Sequence, residues 1–419
     1  MKSFLCLFLT VILFSCELPL KEDENFLVSL MEREPKKFQY ILDHRDSLEV
    51  QIIYTQINRD SINRPNFKSF YFNVDSSHYF YPASTVKLPM LLLALEKLNE
   101  LNVKGVDKFT PIYHDSLYAG QQSVKMDTTS QDSLPTIAHY AKKILVVSDN
   151  DAYNRLYEFL GQKATNELFK QKGYLIKLLH RLERPLPPDQ NRHTEAIRFV
   201  KNDTLLFQQP ILINSDSITP RRRVLRGKGF MKYDTVLVNQ PFDFTYKNDY
   251  PLQEQQAILK AILFPQAVDA KRKFNYSEED RKFVMQYMSQ LPTETTSPPY
   301  KSDTAYFDAY CKFLIYGDDK KPISRDIRIF NKVGDAYGYL IDNAYIVDFK
   351  NRVEFILSAV INTNIDGIYN DGKYEYKTLG FPFMKNLGQA VYRYEKKRKK
   401  KHKPNLNEFV LRYDSTLQK

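Results

Sequence analysis

The stretch YPASTVKLPM, Tyr81 to Met90, sets a serine and a lysine three residues apart at the start of an apolar run. Residues at i and i+3 share one face of a helix. If STVKLPMLLLALEKLNEL is helical, Ser84 lies at its N-terminus, where free backbone N–H groups and the helix dipole favour a developing oxyanion. Lys87 follows within one turn, and a desolvated lysine with a depressed pKa can accept the serine proton. The pair reads as nucleophile and base. The plain alternative is a polar helix cap. Two further polar triplets follow it, Ser148-Asp149-Asn150 in VVSDNDAYN and Lys332-Val333-Gly334 in IFNKVGDAYGY.

Positioning these groups requires a framework. SLEVQIIYTQI and KSFYFNVD are rich in β-branched and aromatic residues, as paired strands are, with a turn over Asn58–Asn66. Pro89 removes one backbone donor from the helix carrying Ser84 and is expected to bend it. SLPTIAHYAKKILVVSDN is a second helix, and helical spacing continues through DAYNRLYEFLGQKATNELFKQKG to a glycine stop. Arg181–His193, RLERPLPPDQNRH, is proline-rich and aperiodic, hence a structured loop. Short strand-like pieces over 200–249 surround a basic patch at Arg221–Lys228, of which the Arg221–Arg226 cluster reads as a solvated hairpin face rather than a phosphate site. LQEQQAILKAILF and SEEDRKFVMQYMSQL are helices, the second opening with a capping box. ISRDIRIFNKVG, NAYIVDF and VEFILSAVIN then read as an antiparallel meander. YNDGKYEY reads as a turn with exposed aromatics, and PFMKNLGQAVYRYEKK as a closing helix. The expected fold is α+β: about five antiparallel strands drawn from both ends of the chain, packed by helices, with a helical middle region.

Ser-x-x-Lys, Ser-Asp-Asn and a Lys-x-Gly, in that order and each in a fitting element, make the sequence resemble the class A serine β-lactamases and penicillin-binding proteins. The resemblance spans about 47–396, with 200–249 lacking a counterpart. It implies that Ser84 is acylated and that Lys87 activates it. Ser148 would relay the proton to the leaving nitrogen and bond towards Lys87 and Lys332. Asn150 would bind a substrate amide carbonyl, and Lys332 would supply positive charge and orient Ser148. Beside Gly334, the backbone N–H groups of Ser84 and Asp335 would form an oxyanion hole, with each donor worth ~3–4 kcal/mol in other serine hydrolases.

Three positions depart from that pattern. In the ungapped register of RLERPLPPDQN, the glutamate that activates the deacylating water falls on Leu186 and the following asparagine on Gln190. Glu183 is the nearest replacement base; the alternative is an ion pair with Arg181 or Arg184. Val333 stands where the family places a hydroxyl that binds a substrate carboxylate. Asp335, facing the cleft, would repel such a carboxylate. The implied activity is hydrolysis of an amide or ester, with β-lactams among the substrates to test. The alternatives are a slowly deacylating penicillin-binding-type peptidase and a non-catalytic envelope binding module.

With 419 residues and 43% hydrophobic content, the chain can build a large core. Its first residues, MKSFLCLFLTVILFSCELPLKEDE, hold Lys2, an apolar run from Phe4 to Phe14 too short to span a bilayer, and Ser15 before Cys16. LFSC resembles a bacterial lipobox; an ordinary signal peptide with an incidental cysteine is the alternative. The expected organisation is a signal peptide over 1–15, lipidation at Cys16, and a tether with an N-terminal helical segment over 16–46. A catalytic domain over 47–396 carries an insertion at 200–249, and a basic tail covers 397–419. That makes the protein a membrane-anchored envelope lipoprotein facing the periplasm or the outside, monomeric, acting on a small-molecule or peptidoglycan-like substrate. Cys6 leaves with the signal, so Cys311 has no intrachain partner. The net charge of +11 owes seven Lys or Arg to KKRKKKHK at 396–403, leaving 11 − 7 = +4 elsewhere, so the basic excess reads as a solvated tail. Nucleic acid is not an expected partner of a secreted chain. His139 and His180 lack metal-ligand spacing, so no metal and no cofactor are expected.

Overall fold

A computed structural model of the protein describes residues 24–414. The expected signal peptide and Cys16 lie outside the described residues. Five strands, β1 (Gln51–Arg59), β2 (Pro65–Phe72), β3 (Ile327–Ala336), β4 (Tyr339–Asp348) and β5 (Val353–Asn362), form one antiparallel sheet in the order β3-β4-β5-β1-β2. Its closure joins the two ends of the chain: Ile52 of β1 stands opposite Ala359 of β5. β4 and β5 are buried along their whole length, because helices cover both faces, and they therefore read as nearly continuous apolar runs. β2, at the sheet edge, alternates in burial.

Among the helices that frame the sheet are α1 (Glu24–Glu32), α2 (Pro35–Asp43), α3 (Lys87–Leu101), α4 (Ile137–Val147), α5 (Asn150–Leu160), α6 (Leu252–Leu263), α7 (Glu278–Ser289) and α8 (Phe381–Lys397). Leu27, Phe38, Phe383 and Leu387 of α1, α2 and α8 share one core with Ile52, Leu340 and Leu357 of the sheet. On the other face α3–α7 build a second core that meets the sheet at Phe330, Tyr345 and Ile356. α7 begins with the expected capping box: Ser277 Oγ accepts from the Asp280 amide at 3.0 Å, and Asp280 accepts from the Ser277 amide at 3.3 Å. Removing such a cap costs about 1 kcal/mol.

Several expectations change. Ala83–Val86 is a 3₁₀ turn and the α-helix proper starts at Lys87. Pro89 therefore falls in the first turn, where a missing donor is tolerated, and the helix runs on to Leu101. The segment after Asn150 breaks at Gly161 (φ +80°) into α5 and a second helix, Gln162–Gln171. The Arg181–His193 loop contains a short helix, Pro188–Arg192. The 200–249 region serves two places. Its start completes a hairpin, Ala196–Lys201 with Thr204–Gln209, that pairs with Ile112–Asp115. Its later strands pack beside the cleft.

The basic run is not simply solvated. Arg398 donates to Asn58 Oδ1 at 2.6 Å, Arg398 and Lys400 both pair with the buried Glu395, and Phe409 is buried against Tyr345 and Phe330. Apolar residues after the charges, Leu406 and Phe409, carry the segment back onto the core. The arginine patch is likewise engaged: Arg221 and Arg222 pair with Asp249, and Arg226 donates to the Tyr79 carbonyl.

Candidate active site

Three chain segments converge at one end of β3. Ser84 lies in the 3₁₀ turn and Lys87 is the first residue of α3. Ser148 ends α4 in the left-handed region (φ 63°, ψ 39°), and Asp149 caps α5 by accepting from the Ala152 amide at 2.7 Å. Asn150 is thereby the first residue of α5. Lys332 comes from β3. Ser84 makes no cap bond in its own turn, where Thr85 Oγ1 instead donates to the Pro82 carbonyl at 2.6 Å. Its hydroxyl faces Lys87, with Nζ 2.7 Å from Oγ. Lys87 Nζ also meets the Ser148 carbonyl, and Ser148 Oγ at 3.2 Å. Lys332 Nζ lies 2.7 Å from Ser148 Oγ and 2.9 Å from the Val333 carbonyl. The two serines and two lysines thus form one connected chain.

Lys87 and Lys332 are buried, at 0% and 3% exposure. Among the described residues, no carboxylate pairs with either within ion-pair distance. Burial, reinforced by the charge of Lys332, pushes Lys87 well below the ordinary lysine range. Burial also brings Lys332 down to about 8, opposed by the nearby Cys311, Asp335 and Asp342. Burial thus lowers the proton affinity of both lysines, and the charge of Lys332 lowers that of Lys87 further.

The underside of β3 is fixed by groups that the sequence did not mark. Lys312 donates to Asn331 Oδ1 at 2.6 Å and to the Met288 carbonyl at 2.7 Å; Asn331 Nδ2 reaches Asp342 Oδ1 at 2.8 Å. Burial raises Asp342 to about 6. Nothing in their spacing distinguishes these residues from ordinary core polars. Asn331 holds β3 at the position next to Lys332.

Backbone geometry around the site is uncommon for L-residues. Ala83 (φ 47°), Ser148 (φ 63°), Glu183 (φ 52°) and Tyr337 (φ 56°) all have positive φ, and all but Ser148 line the cavity in front of Ser84. Such conformations persist where surrounding packing holds them, and they concentrate at functional sites. Gly334 has a different constraint. A Cβ there would stand 2.9 Å from the Pro82 carbonyl oxygen and 3.0 Å from the amide nitrogens of Ser84 and Thr85. Only glycine lets β3 lie this close to the turn that bears Ser84.

Ser84, Asn150, Glu183 and Asp335 line a cavity of ≈ 1010 Å³. A second cavity, of ≈ 540 Å³, continues past Ser148 to Val333, Tyr310, Cys311 and Phe381. Val333 makes that wall apolar where the family's hydroxyl was expected. Asp335 opens to both cavities. Its enclosure by the cleft walls raises its carboxyl above the ordinary range, against the pull of Lys332 and Lys87.

The 181–193 loop is anchored by Arg181, whose guanidinium makes a two-pronged bond to the buried Glu158 at 2.6 and 2.8 Å and also donates to the His193 carbonyl at 2.8 Å. Breaking such a buried pair costs about 3–5 kcal/mol. Arg184 lies 3.6 Å from Glu195. Both arginines are therefore engaged elsewhere, and Glu183 forms no ion pair with either. Among the described residues, none gives its side chain a hydrogen bond, and it projects into the cleft. Leu186, in the register of the family's glutamate, packs near Gly120.

The YNDGKYEY turn is corrected: Tyr369 is 2% exposed and pairs in parallel with Phe230 of the 200–249 region. Together these segments make the cavity's far wall, which no motif announced.

Residues 36–212 match the model of the beta-lactamase enzyme family, which bears out the resemblance of the sequence to the β-lactamase and penicillin-binding superfamily. No curated protein matches the chain. Among solved structures, a β-lactamase from Sphaerobacter thermophilus is 14% identical with a TM-score of 0.47, the match covering 90% of this chain and 99% of that one. A class A β-lactamase from Clostridium kluyveri is 14% identical (TM-score 0.44; 86% and 99%). The β-lactamase of Streptomyces albus G is 12% identical (TM-score 0.46; 89% and 99%).

Proposed function

We propose that this β-lactamase-like chain is a serine acyl hydrolase acylated at Ser84. The observation that carries the reading is the unpaired, buried Lys87, with its amine 2.7 Å from Ser84 Oγ and its proton affinity depressed. Neutral Lys87 takes the Ser84 proton as Oγ attacks a substrate carbonyl. The backbone amides of Ser84 and Asp335, brought together by Gly334, receive the oxyanion. Charged Lys332 polarises Ser148, which passes a proton to the leaving group. Asn150, at the cavity edge, takes a substrate amide carbonyl.

Deacylation falls to Glu183, a cleft carboxylate without a structural partner on the loop that faces Ser84, which activates a water for attack on the acyl-Ser84 ester. The leucine at position 186 supports a second reading, in which release is slow and the protein behaves as a penicillin-binding-type acceptor. Both place the enzyme, through Cys16, on the cell envelope with a small-molecule or peptidoglycan-like substrate. The retained quartet Ser84, Lys87, Ser148 and Lys332 weighs against a binding module without chemistry. Intact-mass analysis with a chromogenic cephalosporin and an activated ester tests the reading. The wild type should gain a transient acyl mass, Glu183→Gln a persistent one, and Ser84→Ala none. Equal adducts in wild type and Ser84→Ala would sink it; a persistent adduct already in the wild type would favour the slow-release reading.

A further inference from the structure

The cavity in front of Ser84 has a charge opposite to that of the protein. The chain carries +11 overall, yet five carboxylates line this cavity, Glu183, Asp234, Asp335, Asp366 and Asp371, against a single lysine, Lys373. None of the five has a cationic partner within ion-pair distance among the described residues. Asp366 and Asp371 accept backbone bonds from Ile368 and Lys373, which hold the loop and leave their charge uncompensated. A one-signed concave wall focuses its field on whatever enters.

The wall is a built structure. The hairpin Gly229–Lys232/Val236–Val238 is joined by the parallel pairing of Gly229 and Phe230 with Ile368 and Tyr369. The amide of Lys228 donates to the Gly367 carbonyl at 2.8 Å. Gly227 (φ +73°) permits the approach, since a Cβ there would sit 2.5 Å from the Gly367 oxygen. The same cavity is aromatic: Tyr81, Tyr233, Tyr337 and Tyr374 line it. Tyrosine faces among carboxylates are an environment for an organic cation, which the ring quadrupoles and the acids attract together. The second cavity reinforces the contrast, because Val333 leaves no side-chain hydroxyl at that position to receive a carboxylate.

We infer that the substrate arm lying between Ser84 and this wall carries a primary ammonium group, and that Asp335 with Asp234 and Asp371 selects it over a carboxylate. The inference rests on the reading of Ser84 as nucleophile for calling that arm part of a substrate, but its test is a binding measurement that needs no acylation. NMR-detected titration of the full chain compares 6-aminohexanamide with the monoamide of heptanedioic acid, which has a carboxylate at the same reach. The ammonium amide should bind at least about tenfold more tightly at low salt, and the preference should shrink as the Debye length falls from about 30 Å to about 3 Å. Asp371→Asn, whose amide oxygen keeps the bond from the Lys373 amide, and Asp234→Asn, at a positive-φ turn position that asparagine tolerates, should each lower the preference about threefold, and Asp335→Asn at least as much. Equal binding, preference for the carboxylate, or no binding of the ammonium amide overturns the inference. Paired p-nitrophenyl esters of 6-aminohexanoic and heptanedioic acids then separate the two claims. Ester turnover that persists in Ser84→Ala contradicts the nucleophile and leaves the binding result standing.

Discussion

Replacing Lys332 by methionine should stabilise the protein at neutral pH while destroying its chemistry. Burial lowers the Lys332 ammonium from 10.5 to about 8, and each pH unit corresponds to about 1.4 kcal/mol, so the charged form costs the fold about 3 kcal/mol. That cost is complete below pH 8, where folded and unfolded chains are both protonated. It shrinks as the folded lysine releases its proton, and it vanishes above about 10.5, where both states are neutral. Relative to the variant, the wild type therefore gains stability as pH rises from about 8 to about 10.5. Methionine also forfeits the bonds to Ser148 Oγ and the Val333 carbonyl, about 1 kcal/mol each. The balance makes Lys332→Met about 1 kcal/mol more stable than wild type at pH 7 and about 2 kcal/mol less stable near pH 10.5. Urea unfolding of both proteins at the two pH values measures the difference. A variant destabilised equally at both would refute the argument, because Lys332 would then carry no burial cost.

Three further outcomes follow from the same geometry. Acylation needs Lys87 neutral and Lys332 charged, so the single-turnover rate should fall as pH rises beyond about 8, where Lys332 discharges; a rate still climbing at about pH 10 would contradict the assignment. Gly334→Ala must push β3 away from the Ser84 turn, whose backbone atoms stand 2.9–3.0 Å from the new Cβ; overpacking of about 1–3 kcal/mol and about a hundredfold slower acylation are expected, and an unchanged burst rate in stopped-flow would remove the contact from the account. Cys16→Ser should shift the protein from the membrane fraction to the soluble one or leave its signal uncleaved, and an unaltered membrane fraction by immunoblot would exclude the lipid anchor.

The parts legible in the sequence were those with strong local periodicity or fixed spacing. VEFILSAVIN reads as a buried strand and is one over its whole length, and Ser84, Lys87, Ser148 and Lys332 meet as their order implied. Boundaries set by a single residue were less legible. Pro89 is harmless because the α-helix starts three residues later than Ser84, and Gly161 breaks what periodicity ran through. Long-range placement was least legible. The partner of Arg181 is Glu158 on α5, and the wall of the cavity pairs two segments more than a hundred residues apart. Composition reports charge without its position, which is why KKRKKKHK looked like a free tail although Leu406 and Phe409 tie the following segment to the core.

The central claim is that Ser84 becomes covalently acylated. Peptide-level mass spectrometry after a brief exposure of Glu183→Gln to an activated ester tests it most directly. The acyl mass should appear on the peptide containing Ser84 and be lost in the double variants that add Ser84→Ala or Lys87→Met. An adduct located on any other residue, or one that survives Ser84→Ala, would contradict it.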